Sequence, residues 1–399
     1  MKFEWKEYTI GDLCDTISDT YKRNDEEVIL INTSDVLDGN VLNHKAVKNK
    51  NLKGQFKKTF RHNDILYSEI RPANKRFAFV DFDNTEKYIA STKLMVLRAH
   101  EDVVLPQYLF AILKSQKVIE TLQHLAETRS GTFPQITFSS ELAPMNVMLP
   151  NIVTQKQIIA ILSVIECKIK LNNEINANLE QQAQAIFKSW FVDFEPFGGT
   201  IPETWFMAKL GDIASIKTTS FSPAKNPDVI LEHYSIPAFD KNKYPVFELA
   251  KEVKSNKYIL TSKSIMISKL NPNTKRVWRP MYLTEFAVSS TEFIIFEANN
   301  PIYKDFIYSI IDSVDFMDWM CAHTTGSTNS RQRTIPSTTL EFKVPIACDE
   351  IISEFCAIVS PMYDKISQNI CENQKLVKIR DILLPKLMSG EIDVSDITI

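Results

Sequence analysis

The sequence predicts an α+β fold in which two α/β modules are separated by two long helices forming an antiparallel coiled coil, with a pseudo-two-fold internal repeat. Three observations predict it. The chain has 399 residues, more than one hydrophobic core usually sustains. It matches itself at an offset of about 200 residues, the mark of a duplicated unit. Each copy ends in a long apolar seam at heptad spacing, the pattern of a coiled-coil helix.

The repeat is an ordered series of matches. Trp5 and Ile10-Gly11-Asp12-Leu13 return as Trp205 and Leu210-Gly211-Asp212-Ile213. Asp64–Pro72 has its partner in Ser264–Pro272, and the basic pairs Lys75-Arg76 and Lys275-Arg276 follow. Ser91-Thr92 returns as Ser290-Thr291, and Gly131-Thr132 as Gly326-Ser327. Within the first copy, Ile65-Leu66-Tyr67 and Leu94-Met95-Val96-Leu97 read as strands and Tyr108–Leu113 as part of a helix. Pro150 and Pro345 are each expected to stop an extended segment just before a long helix. Phe197-Gly198-Gly199-Thr200-Ile201-Pro202 contains two of the nine glycines and reads as a linker.

In the first long helix Ile158, Leu162, Ile165, Ile169, Asn172, Asn176, Leu179, Ala183, Ile186 and Trp190 keep an unbroken 4-3-4-3 spacing. The second repeats it with Phe355, Val359, Met362, Ile366, Asn369, Asn373, Leu376, Arg380, Leu383 and Leu387. Buried asparagines weaken a seam but select register, because each amide needs a polar partner. Antiparallel pairing would set Asn172 against Asn373 and Asn176 against Asn369, with Leu179 and Leu376 flanking them. Asparagines on the rim of a wide seam are the alternative.

Composition excludes several classes. The 44% hydrophobic and 24% charged residues are those of a globular protein. No apolar run approaches the roughly 18–20 residues of a membrane span, and the first residues do not resemble a signal peptide, so a cytoplasmic location is expected. The six cysteines have neither metal-site nor disulfide spacing and are expected to be buried, reduced thiols. No phosphate-cradling glycine loop, no GxSxG and no Asn-Pro-Pro-aromatic motif occurs. The pattern nearest to an enzyme is Asp240 with Glu252 and Lys254, a loose match to a nuclease metal site. No catalytic residue, metal or cofactor is therefore expected on this chain.

A net charge of −3 hides local cationic stretches. Between Lys45 and Arg76 ten Lys/Arg stand against two acids, and between Lys251 and Arg279 eight stand against one. These stretches match in the repeat, as phosphate-facing surfaces would; a solvated lysine-rich surface is the bland alternative. Two loops per module have the side chains that can read base edges. The first pair is Ser68–Arg76 and Ser268–Arg276, giving Ser68, Arg71, Lys75, Arg76, Ser268, Lys269, Lys275 and Arg276 as candidate contacts. The second is Thr128–Thr132 and Thr325–Arg333, giving Arg129, Thr132, Ser327, Asn329, Arg331 and Arg333.

In combination these features resemble the specificity subunit of type I restriction–modification systems. The motifs are Trp-x4-[Ile/Leu]-Gly-Asp-[Leu/Ile] at the head of each module and Lys-Ile-x2-Asn-x3-Asn-x2-Leu at 168–179 and 365–376. Gln184–Phe194 and Leu384–Gly390 add to the likeness. The resemblance implies two target-recognition domains, 1–150 and 197–345, a central conserved helix, 151–196, and a C-terminal helix with tail, 346–399. It implies that each domain reads one half of an interrupted sequence in double-stranded DNA. It further implies that the helices set the gap and dock two modification subunits bringing S-adenosylmethionine, and that two restriction (motor) subunits bring ATP and magnesium. A protein-only coiled-coil scaffold is the competing reading.

Overall fold

The computed structural model describes residues 5–50, 54–129, 134–325, 332–395 and 397. The chain divides into two compact units, Met1–Cys167 with Val377–Ile399, and Lys168–Leu376. The helices Ile152–Phe191 and Asp349–Met388, 40 residues each, contribute to both. These units cut across the four consecutive segments expected from the sequence. Each module buries its apolar face on the start of its own long helix and on the end of the other one.

The two modules share one sheet order and differ by a strand in the other sheet. In the first, a sheet runs Cys14–Ile17, Leu94–Ala99, Ile65–Ser68, Phe77–Phe79, and a second runs Ala46–Lys48, Glu27–Ile31, Tyr88–Ser91, Phe56–Lys58. The second module repeats the former as Ala214–Lys217, Phe293–Ala298, Ser264–Ser268, Val277–Trp278. Its other sheet has five strands, Ser220–Phe221, Lys257–Ile259, Ala287–Ser289, Ile230–Tyr234, Val246–Leu249. One parallel pairing recurs in each, Tyr88 beside Ile29 and Ala287 beside Glu232. The central strands are buried on both faces, which explains why they read as continuous apolar runs rather than alternations.

The Gly-Asp motif has a local cause. In the turns Ile10–Leu13 and Leu210–Ile213 the aspartate accepts from a backbone N–H ahead of the helix, Thr9 N to Asp12 at 2.8 Å and Lys209 N to Asp212 at 2.8 Å, as an N-terminal cap does. The glycines sit against a crossing segment. A Cβ at Gly11 would stand 3.3 Å from Ala143 Cβ, and one at Gly211 3.2 Å from Leu340 Cβ. Their N–H groups donate to the carbonyls of Ala143 and Leu340.

The helices pair antiparallel. In the second unit Asn172 donates to Asn373 at 2.9 Å and Asn369 donates to Asn176 at 2.8 Å, so one helix descends as the other rises. All four amides are buried. Asn373 also donates to Asn173, and Asn172 to Glu372. Ala183, Val359 and Ile366 are buried beside these groups, with Leu179, Ile186 and Met362 packed against the same core, and Leu376 is half-buried. Trp190 meets Phe355 at 6.0 Å between ring centroids. In the first unit Ile158 and Leu162 share a core with Leu387, and Leu383 packs against it. Arg380 turns onto Asp381 instead of entering the seam.

The modules' leading tryptophans close the helix ends. Trp205 lies 4.9 Å from Phe197 and 5.5 Å from Phe191 between centroids. Trp5 covers Gly390, where φ is 74° and an added Cβ would come within 2.7 Å of the indole nitrogen.

Two expectations are corrected. Pro345 does not end its strand but lies within Lys343–Ile346, paired with Met207. A two-stranded ribbon tolerates this because one strand edge needs no donor. Only Cys14 and Cys356 are buried among the cysteines; Cys167 and Cys348 are exposed, and Cys321 and Cys371 intermediate. Burial pushes the Cys14 thiol up to about 12 and the Cys356 thiol up to about 11, so neither is a ready nucleophile.

Candidate nucleic-acid interface

In the second module the two loops singled out converge, and in the first the loop Ser68–Arg76 meets the segment Pro134–Ile136, just beyond the second loop. In the first, Glu69 N donates to Lys93 O, Ile136 N to Glu69 O, and Arg71 N to Pro134 O. In the second, Lys269 N donates to Glu292 O, Thr334 N to Lys269 O, and Asn271 N to Gln332 O. Isolated bridges join Ile70 to Gln135 and Leu270 to Arg333. Segments far apart in sequence thus form one three-part platform in each module, with the same backbone connections.

Each first loop is built by its serine. Ser68 and Ser268 are buried, and each hydroxyl donates to the carbonyl, and accepts from the N–H, of the residue two positions on. They shape the loops instead of facing outward. The turn then needs a left-handed residue, Arg71 at φ 45° and Asn271 at φ 48°. Asparagine visits that region readily and arginine does not; Lys75, at φ 51°, repeats the strain within the same loop.

Most of the candidate cations are already held. Arg76 donates to the carbonyls of Ser34 and Val36. Arg276 makes a bidentate pair with Asp240 at 2.6 and 2.9 Å. Lys275 bonds Asp312, which also takes Gln184. Arg129, at the end of the helix Gln116–Arg129, donates to Glu141 at 2.7 Å. Arg333 makes a bidentate pair with Glu292 at 3.0 and 3.1 Å. Lys75 is exposed and Lys269 half-buried. Thr132, Ser327, Asn329 and Arg331 lie outside the described residues.

The cationic stretches divide in the same way. Lys58 donates to Leu94 O, Lys257 to Ser255, and Arg279 pairs with Asp305 and Asp364. Lys45, Lys48, Lys50, Lys57 and Arg61 remain exposed in the first module, and Lys251, Lys254 and Lys263 in the second. Asp240 gives both carboxylate oxygens to Arg276, which accounts for it without a metal. Among the described residues no group of three or more His, Cys, Asp or Glu is placed to hold a metal ion. No described helix is long and apolar enough to cross a membrane.

Sequence reasoning missed the acids that orient these arginines, because Asp240 lies on the helix Ile236–Asn242 and Glu292 in the turn before the strand Phe293–Ala298, with no local signal. The repeat held a usable clue, since Glu292 falls where the first module has Lys93.

Comparison with known proteins agrees with this architecture. Residues 2–181 match the family model described as the type I restriction modification DNA specificity domain. The type I restriction enzyme HindI specificity subunit of Haemophilus influenzae is 47% identical over 194 residues, 48% of this chain and 42% of that protein. The chain thus aligns with less than half the length of that relative. The MjaIX specificity subunit of Methanocaldococcus jannaschii is 27% identical over 317 residues, 74% of this chain and 71% of that protein. The solved S subunit of a type I restriction–modification system from M. genitalium shares the fold, with a TM-score of 0.58 at 18% identity over 96% of each chain. The likeness to the type I restriction–modification specificity domain is thus carried by residues 2–181, a little under half of the chain.

Proposed function

We propose that this chain is the DNA sequence-specificity subunit of a type I restriction–modification complex, each module reading one half of a bipartite, interrupted target. The observation that carries the reading is the platform repeated in each module. Identical backbone connections present unlike side chains, Glu69, Lys93 and Gln135 in one and Lys269, Glu292 and Arg333 in the other. A reader of two different half-sites needs a constant frame with variable contacts. On this reading the paired helices set the gap and dock two modification subunits, which bring S-adenosylmethionine. Two restriction (motor) subunits bring ATP and magnesium. The chain itself is non-catalytic and acts in the cytoplasm on double-stranded DNA.

The test is single-molecule methylome sequencing of a host producing this chain with an active modification subunit, against a host lacking the chain. A new adenine-methylated motif of two short unlike halves around a fixed gap is expected. Absence of any motif overturns the reading in favour of a protein-only scaffold.

A further inference from the structure

Three equivalent positions meet in each module, and their charges are exchanged between the copies. In the first they are Glu69, Lys93 and Gln135, with Lys93 Nζ 3.7 Å from Glu69. In the second they are Lys269, Glu292 and Arg333. The acid moves from the first position to the second, and the polar amide at the third becomes a guanidinium. The three backbones keep the same hydrogen bonds throughout. Such variation at a constant backbone position is what a change of recognised base requires.

Arg333 is prepared for a planar partner. Its Nε and Nη2 donate to Glu292 through two parallel bonds at 3.0 and 3.1 Å, which fixes the plane of the guanidinium and engages two of its five N–H donors. The side chain is 44% exposed against 29% for Glu292, so the guanidinium is the more accessible of the two groups. The backbone is fixed as well: Arg333–Thr334 pairs with Thr324–Thr325, and Leu270 bridges to Arg333. A pre-oriented arginine loses less entropy on binding than a free one. The acceptor pair that suits its remaining donors is O6 and N7 on the major-groove edge of guanine. A phosphate would accept the same donors, but would give no sequence preference.

Resting on the DNA-reading function above, we propose that Arg333, held in plane by Glu292 as its positioning residue, contacts a guanine in the half-site of the second module, and that Gln135 occupies the same place in the first, where its amide suits adenine.

The full chain with its modification subunit is used, and the methylated motif is read for wild type, Arg333→Gln, Glu292→Gln and Gln135→Arg. Arg333→Gln is expected to lower the preference for guanine at one position of one half-site by roughly tenfold or more, leaving the other half-site intact. Glu292→Gln keeps the arginine but frees its plane, so it weakens preference at that same position and no other. Gln135→Arg shifts one position in the other half-site from adenine towards guanine. An unchanged motif in Arg333→Gln overturns the proposal, as does an equal fall at all sites, which is the mark of a phosphate contact. If Arg333→Gln fails to fold, Glu292→Gln decides: an unchanged motif, or altered preference elsewhere, overturns it. A wild-type complex that makes no motif defeats the DNA-reading function instead.

Discussion

At the scale of single residues the repeat shows one structural problem solved twice with different chemistry. In the first module buried Asp64 accepts from Arg61 N at 2.8 Å and takes a bidentate pair from Arg98 at 2.8 and 2.8 Å. In the second, Ser264 accepts from Thr261 N at 3.0 Å, and both Ser264 and Thr261 donate to Glu297, at 3.1 and 2.5 Å. The turn needs an acceptor at the third residue; what satisfies the rest differs between the copies. Arg98→Glu alone would set two carboxylates facing each other, one of them buried, and is expected to cost about 3–5 kcal/mol. Adding Asp64→Ser recreates the arrangement of the second module and is expected to recover most of the loss. Urea denaturation of the single and double variants measures this; a double variant no more stable than Arg98→Glu would show that the two solutions are not interchangeable.

At the scale of the elements, the paired helices combine an apolar seam with a short polar segment. The amides of Asn172, Asn176, Asn369 and Asn373 exchange hydrogen bonds in the buried seam, and among the described residues Asn172 Oδ1 has no partner. Their energetic value is therefore modest, while the cost of breaking one pair is not. Asn172→Leu strips Asn373 Oδ1 of its donor and is expected to destabilise the fold by about 1–3 kcal/mol. Asn172→Leu with Asn373→Leu removes both partners and builds an apolar contact, so its cost should fall below the sum of the single variants. Additive losses in a double-mutant cycle would mean that the amides act independently. This pairing was legible in the sequence because heptad spacing is a strong periodic signal and a mispaired asparagine in a seam is expensive.

Over the whole molecule, the repeat made the module order, the strands around Ile65 and Leu94 and both long helices readable. It did not reveal the discontinuous compact units, because packing on the end of a distant helix leaves no local pattern. Nor did it reveal that Arg76, Arg129, Arg276 and Arg333 are held intramolecularly, since the partners of Arg276 and Arg333 lie 36 and 41 residues away in the chain. That latching matters for the charge argument: the cationic excess is partly spent inside the modules, and the remainder is concentrated on exposed lysines. Lys48 ends the strand Ala46–Lys48 at the edge of its sheet, and Lys50 follows it. Edge lysines also serve to block strand-to-strand aggregation, so exposure alone does not assign them to DNA. Lys48→Gln with Lys50→Gln separates the two roles. If both meet phosphates, the slope of log affinity against log salt falls by roughly 0.9 for each contact. Binding to target and to unrelated DNA then weakens equally, while the methylated motif stays the same. Titration of the assembled complex across a salt series measures the slope. An unchanged slope with increased aggregation would assign the lysines to protecting the sheet edge, and the cationic surface for DNA would have to be sought at Lys45, Lys57 and Arg61.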